Sequence, residues 1–297
     1  MAPERWPDFL VIGAYKSGTT SVHHVLRAHP EVFVPERKEP NFFAFVDDPD
    51  DQNPAREGSV LTEADYRALF AAGGSARAVG EVSPEYMLNP SAAPSIARRI
   101  PTATLLAVLR NPVDRAFSDW VMYVREGQER ETFSTALQLQ TERRRDRLAT
   151  GNYLAAGDYA TQLEPYLRLF GSGQVHIWLY DDLAAQAEVV YAEMYAAIGV
   201  DPSVPLPAAT TYNPGEVPSS PGARLAMSVR RRVRASRRPL PLASLRARLS
   251  ARLEQRLVRP TMEPAAREQL VEHYRPGVQR LQDLIDRDLS HWLSPSG

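Results

Sequence analysis

Residues 9–21 read FLVIGAYKSGTTS: an apolar run that stops at Gly13, a turn rich in glycine and hydroxyls, then a helical pattern over 19–28. A short apolar stretch bounded by glycine reads as a buried strand. Strand, glycine-rich turn and helix together form a phosphate cradle. The first N–H groups of a helix have no intrahelical partner and lie at the positive end of its dipole, so an anion can sit there. Gly13 and Gly18 have the spacing of the nucleotide-hydrolase loop GxxxxGK[ST], but Thr19 stands in the lysine's place and the loop's one lysine is Lys16. No apolar run ending in a magnesium-binding aspartate accompanies the loop. The cradle is expected without ATP–metal equipment, which suits a phosphoryl-like donor held by lysine and hydroxyls. The bland alternative is a glycine turn joining any strand to any helix.

Further strands are expected at 31–34, 76–82, 102–109 (TATLLAVL, the strongest) and 174–180. Helices are expected at 62–72 with a Thr62/Asp65 cap, at 92–99 capped by Ser91, and at 113–125 behind Pro112. Others follow at 132–148, 159–170, 188–198 and 264–289, the last bent at Pro276 and Gly277. Residues 41–46 bring in three phenylalanines, and 47–58 read as an acidic surface loop. Alternating strands and helices imply a three-layer, P-loop-like α/β domain around a central parallel sheet. One domain over 1–297 is expected, its core at about 8–200 and 260–292, with 201–259 as a loop and helical cover.

Charge is unevenly spread. Residues 224–259 hold twelve arginines against Glu254 alone, giving +11 and leaving −12 for the rest of a chain whose net charge is −1. Such a block suits a polyanion or nucleic acid, or is simply a solvated helical face. No cysteine is present, so disulfides and thiolate metal sites are excluded. No apolar run approaches the about 18 residues of a membrane span, and MAPERWPDF lacks the organisation of a signal peptide. A cytoplasmic location is the expectation.

In an open parallel sheet, ligands bind beyond the carboxyl ends of the strands. The 16–21 cradle, Arg110 with Ser118 eight residues on, and Glu39 in KEPNFF all fall there. A guanidinium and a hydroxyl suit a second phosphate. A strand-end arginine paired with a carboxylate, a surface serine and a solvated loop glutamate are the plain readings of the same residues.

Together these residues resemble the sulfotransferases that use 3′-phosphoadenosine 5′-phosphosulfate (PAPS), closer to the heparan-sulfate-type branch and its bacterial relatives than to the aryl and steroid branch. YKSGTTS (15–21), KEPNFF (38–43), GEVSPEYM (80–87), LRNPVDRAFSDW (109–120), GDYATQLEPYL (157–167) and the terminal HYRP and RDLSHW carry the likeness. The resemblance implies a metal-free transfer to an acceptor hydroxyl, or second to an amine, of a small molecule or glycan, releasing 3′-phosphoadenosine 5′-phosphate (PAP). Lys16, Ser17, Gly18, Thr19, Thr20 and Ser21 would hold the 5′-phosphosulfate, Arg110 and Ser118 the 3′-phosphate, and Glu39 would act as general base. Burial against Phe42 and Phe43 would raise the Glu39 pKa. Asn41, Phe43, Glu81 and Ser83 would meet the acceptor, Glu81 alternatively orienting Lys16. Departures stand at Val82, where the branch often has lysine, and at Asn41 and Ala44, where it often has histidine and an acid. Arg259 is the expected replacement for the missing cation.

His23 and His24 read as structural or surface residues, and Trp178 and Phe117 as core. A P-loop small-molecule kinase would require magnesium and a lysine at position 19. A nucleic-acid binder acting through the arginine block would show steeply salt-dependent binding, yet no aromatic stripe or base-reading motif accompanies the block. No nucleic-acid partner is therefore expected, and the sequence is silent on oligomeric state.

Overall fold

Five parallel strands form the centre of the molecule. The computed structural model describes residues 5–48, 56–145, 153–171, 173–207, 217–218, 257–258 and 260–294. The strands are β1 (Phe9–Gly13), β2 (Val32–Phe33), β3 (Ala78–Val82), β4 (Thr104–Leu109) and β5 (Val175–Leu179), in the order β2-β3-β1-β4-β5. All four pairings are parallel. The expected P-loop-like α/β architecture is the observed one.

Strand periodicity sorts the core into two layers. Phe9, Val11, Leu106 and Val108 point to one face, where they meet Val22 and Leu26 of α1 (Thr19–Ala28) and Val190 and Met194 of a later helix, Ala187–Ala197. Leu10, Ile12, Leu105, Ala107 and Leu109 point to the other. There they meet α2 (Phe42–Phe45), α5 (Ala92–Arg99), α6 (Pro112–Arg125), α8 (Tyr159–Phe170) and the C-terminal α11 (Pro264–Ile285). Each fully buried aliphatic or aromatic side chain contributes about 1.5–3 kcal/mol, so the two layers together supply the main driving force. The remaining helices are α3 (Glu63–Ala68), α4 (Glu85–Leu88), α7 (Phe133–Arg145), α9 (Tyr180–Ala185) and α10, the Ala187–Ala197 helix.

This topology makes a crevice. The chain leaves β1 for α1 on one face and leaves β4 for α6 on the other, so the two loops part at the carboxyl edge of the sheet.

Local expectations mostly match, with instructive differences. Thr62 caps α3 by accepting from the Asp65 N–H at 3.2 Å, but the helix stops at Ala68 and a 3₁₀ turn follows at Ala71–Gly73. Ser91 makes no side-chain cap; its own N–H donates instead to Asn89 Oδ1 at 2.9 Å. The strand expected to reach Tyr180 ends at Leu179, because Tyr180 opens α9 with Asp181 and Asp182 in its first turn. The C-terminal helix continues through Pro276 and ends at Ile285, before the expected end at 289. The arginine block and its helical cover lie outside the described residues, apart from the ribbon of Val217–Pro218 paired with Leu257–Val258, whose first strand lies against α6.

Candidate active site

Backbone geometry marks the site before any side chain is considered. Among the described residues four non-glycine residues have positive φ, and three of them are Lys16 (62°), Glu39 (59°) and Asn41 (53°). Each such conformation costs on the order of 1 kcal/mol and persists only where the surroundings enforce it, typically at functional sites. Gly18, with φ 85°, stands before α1 and leaves its first turn without a side-chain cap or an acidic residue. The free N–H groups of that turn face the loop. A Cβ on Gly18 would come within 3.2 Å of the Tyr180 ring, a second reason for glycine there.

Lys16 and Arg110 meet at this turn. Arg110 Nη1 donates to the Lys16 carbonyl at 3.1 Å, and its guanidinium lies over the Tyr180 ring, 4.9 Å from the centroid. The end of β4 is fastened by Tyr159 Oη, which donates to the Arg110 carbonyl at 2.9 Å. Asn111 Nδ2 donates to the Trp292 carbonyl at 3.3 Å, and Trp292 Nε1 to Asp181 Oδ2 at 2.9 Å. Among the described residues neither Lys16 nor Arg110 forms an ion pair. Burial lowers the Lys16 pKa; Asp119 and Glu126 oppose this, while Arg125 and Arg110 add to it. Two half-buried cations at one turn, with no direct ion-pair partner among the described residues, suit an anion.

The hydroxyls of the cradle divide by task. Ser17 is wholly buried, and its Oγ donates to the Tyr15 carbonyl at 3.4 Å, holding the loop. Thr19 is also buried, whereas Thr20 and Ser21 are half-buried on the first turn of α1. Thr20 Oγ1 accepts from Lys38 Nζ at 3.3 Å. Ser118 is half-buried on α6.

Glu39 departs from its expected surroundings. Its N–H donates to the Val82 carbonyl at 3.1 Å, which holds its loop at the end of β3. Phe42 and Phe43 are fully buried, but the Glu39 side chain is 34% exposed and accepts from Lys38 Nζ at 2.5 Å. The side chain is part-exposed and paired with Lys38, so the burial expected for it against the phenylalanines does not occur.

Three of the four residues expected to meet the acceptor lie beneath the site. Phe43 packs among Trp6, Phe42, Tyr66 and Tyr86 with ring centroids 5.1–6.0 Å away. Glu81 accepts from Tyr66 Oη at 3.1 Å, Tyr86 Oη at 2.5 Å and Ser83 Oγ at 2.6 Å, all buried contacts away from Lys16. Ser83 Oγ in turn accepts from the Asn41 N–H at 3.2 Å. Glu81 and Ser83 therefore brace the strained loop from below. Asn41 differs from these three: its Oδ1 is buried without a hydrogen-bond partner. An unsatisfied buried acceptor is costly, and a ligand donor would satisfy it. Arg259 lies outside the described residues.

The Glu81 cluster has a consequence for stability. Burial pushes the Glu81 carboxyl up to about 7 from 4.5, against the lowering effect of its three hydroxyl partners. A carboxyl whose folded pKa lies above its unfolded value binds more protons when folded, so stability falls as pH rises from about 4.5 to 7. The loss is of order 3 kcal/mol. Glu85, also pushed up to about 7 by burial, adds a loss of the same sign. Glu81→Gln is expected to flatten the decline in urea-unfolding free energy between pH 5 and 8. Equal slopes in the two proteins would contradict this.

The motifs left four residues at the site without a role: Lys38, Tyr15, Glu85 and Tyr180. Tyr15 Oη donates to Glu85 Oε2 at 2.7 Å, and the negative charge of Glu39 acts on both groups. Lys38 was discoverable, being adjacent to Glu39; the Tyr15–Glu85 and Arg110–Tyr180 contacts span 70 residues each and had no local signal.

Against known proteins, the sequence matches a family model described as Sulfotransferase family over residues 7–203, more than half of the chain. The chain belongs to the sulfotransferase family. A sulfotransferase from Alicyclobacillus acidocaldarius superimposes with a TM-score of 0.77 at 30% identity, covering 98% of this chain and 100% of that one. Mouse heparan sulfate glucosamine 3-O-sulfotransferase 3B1 is 29% identical over 171 residues, 57% of this chain and 40% of its own. The membrane-associated sulfotransferase kil1 of Dictyostelium discoideum is 30% identical over 114 residues, 38% of this chain and 22% of its own. This sulfotransferase therefore spans less than half the length of these curated relatives. Among the described residues no helix is long and apolar enough to cross a membrane, and no group of three or more His, Cys, Asp or Glu could hold a metal.

Proposed function

We propose that this protein transfers the sulfuryl group of PAPS to a hydroxyl, or second to an amine, of a small-molecule or carbohydrate acceptor, without a metal ion. The observation that carries the reading is the meeting of Lys16 and Arg110, neither in a direct ion pair among the described residues, at the uncapped start of α1. Those features fit a nucleotide with phosphates at both ends of its ribose, and PAPS is the donor general to the family. The heparan sulfate enzymes among the relatives motivate the glycan half of the acceptor class.

In this reading PAPS supplies an activated sulfuryl group. Thr19, Thr20, Ser21 and the N–H groups of α1 hold the 5′-phosphate, with Gly18 giving it room. Lys16 stabilises the charge that develops on the leaving phosphate. Arg110 and Ser118 hold the 3′-phosphate, and Arg259 is the candidate from the cover to close the site. Glu39 takes the proton of the acceptor hydroxyl as its oxygen bonds to sulfur in line with the departing phosphate oxygen. Asn41 Oδ1 accepts a hydrogen bond from the acceptor. Positioning and electrostatics do most of the work, so the pre-set backbone of both loops matters as much as the side chains.

Calorimetry tests this directly. PAP is expected to release heat with the protein in EDTA, and ATP–magnesium to bind far more weakly. Silence with PAP, or a preference for ATP–magnesium, would reject the assignment.

A further inference from the structure

Lys38 touches both halves of the site. Its Nζ donates to Thr20 Oγ1 at 3.3 Å, in the first turn of α1, and to Glu39 Oε1 at 2.5 Å. Its side chain is 24% exposed, so the ammonium sits where a ligand of the cradle can reach it. An anion bonded to the Thr20 hydroxyl necessarily stands within a few ångströms of that ammonium.

Charge balance calls for such a group. A nucleotide with two terminal phosphates brings about −3 to −4 at neutral pH. Lys16 and Arg110 offer two positive charges, and the start of a helix about half of one. Arg110 and Lys16 also lie together, joined through the Lys16 carbonyl, whereas Lys38 approaches the cradle from the Glu39 loop.

We propose that Lys38 is a third donor-site cation, shared between Glu39 in the free protein and the 5′-phosphate in the complex. Filling the cradle draws the ammonium from a singly charged carboxylate to the phosphosulfate, whose phosphate and sulfuryl groups each carry one negative charge. Glu39 is thereby freed to receive the acceptor's proton only once the donor is in place. The order of events, donor before acceptor, is then built into one side chain. This rests on the PAPS reading above and adds to it a residue that couples donor binding to the base.

The test is calorimetry of PAP with wild type, Lys38→Met, Lys38→Arg, Glu39→Gln and the Lys38→Met/Glu39→Gln double variant. Lys38→Met is expected to weaken binding about tenfold or more, and Lys38→Arg to restore most of it. Glu39→Gln removes the competitor for the ammonium and is expected to tighten binding roughly two- to fivefold. In the double variant that gain should vanish. Wild-type affinity in Lys38→Met, no tightening in Glu39→Gln, or tightening that persists in the double variant would each overturn the proposal. A wild-type protein silent toward PAP would reject the PAPS reading and this one together, whereas wild-type binding with an indifferent Lys38→Met rejects this one alone.

Discussion

Lys16→Ala is expected to lower sulfuryl transfer by about 10²–10³-fold, the range for removing one preorganised group from a developing negative charge. The loss should fall mainly on the chemical step, because in the proposed reading Lys16 faces the leaving group while the N–H groups of the uncapped α1 would still hold the phosphate. Arg110→Ala should act differently. The guanidinium is proposed to bind the far phosphate, so PAP affinity should drop by a hundredfold or so, the order for truncating one partner of a buried charge pair. Adenosine 5′-phosphosulfate, which lacks the 3′-phosphate, supplies the control: Arg110→Ala should bind it nearly as well as wild type. If Arg110→Ala weakened both nucleotides equally, its role would be confined to bracing the Lys16 carbonyl. If Lys16→Ala kept full turnover, the cradle would not be the reaction centre.

Glu39→Gln is expected to reduce turnover by about 10²–10⁴-fold, the usual contribution of a positioned general base. The substitution keeps size and shape, and the loop is held by the Glu39 N–H on the Val82 carbonyl, so the fold should be unaffected. PAP binding should be no weaker than wild type, which separates a lost base from a lost donor site. Steady-state rates with an acceptor found by screening hydroxyl-bearing metabolites and oligosaccharides would check it. Unchanged turnover would remove Glu39 from the base role and direct attention to Glu85, the neighbouring carboxylate held by Tyr15.

Sequence patterning made the scaffold legible because its signals are local. An apolar run ending on glycine, a proline opening α6, and the apolar run over 102–109 each constrain a few adjacent residues, and the structure has elements at all three. Misreadings arose where a distant partner decides. Tyr180 was placed in a strand from its neighbours, but it starts α9 and its ring supports Arg110. The family resemblance alone places Glu81 and Ser83 against the acceptor. Three O–H donors, two of them from tyrosines on other elements, meet Glu81 instead and keep it in the core.

By itself the sequence determined that a parallel sheet would carry a phosphate cradle at residues 13–21, with a strand-end arginine to face it, because strand–turn–helix geometry follows from spacing alone. Only the tertiary structure decided which groups are free to act. It buried Phe43, Glu81 and Ser83, left Lys16 and Arg110 without a direct ion-pair partner among the described residues, and brought Lys38 onto both Thr20 and Glu39. The physical reason is that availability depends on desolvation and on partners supplied by other elements, and neither is written in a residue's neighbours along the chain.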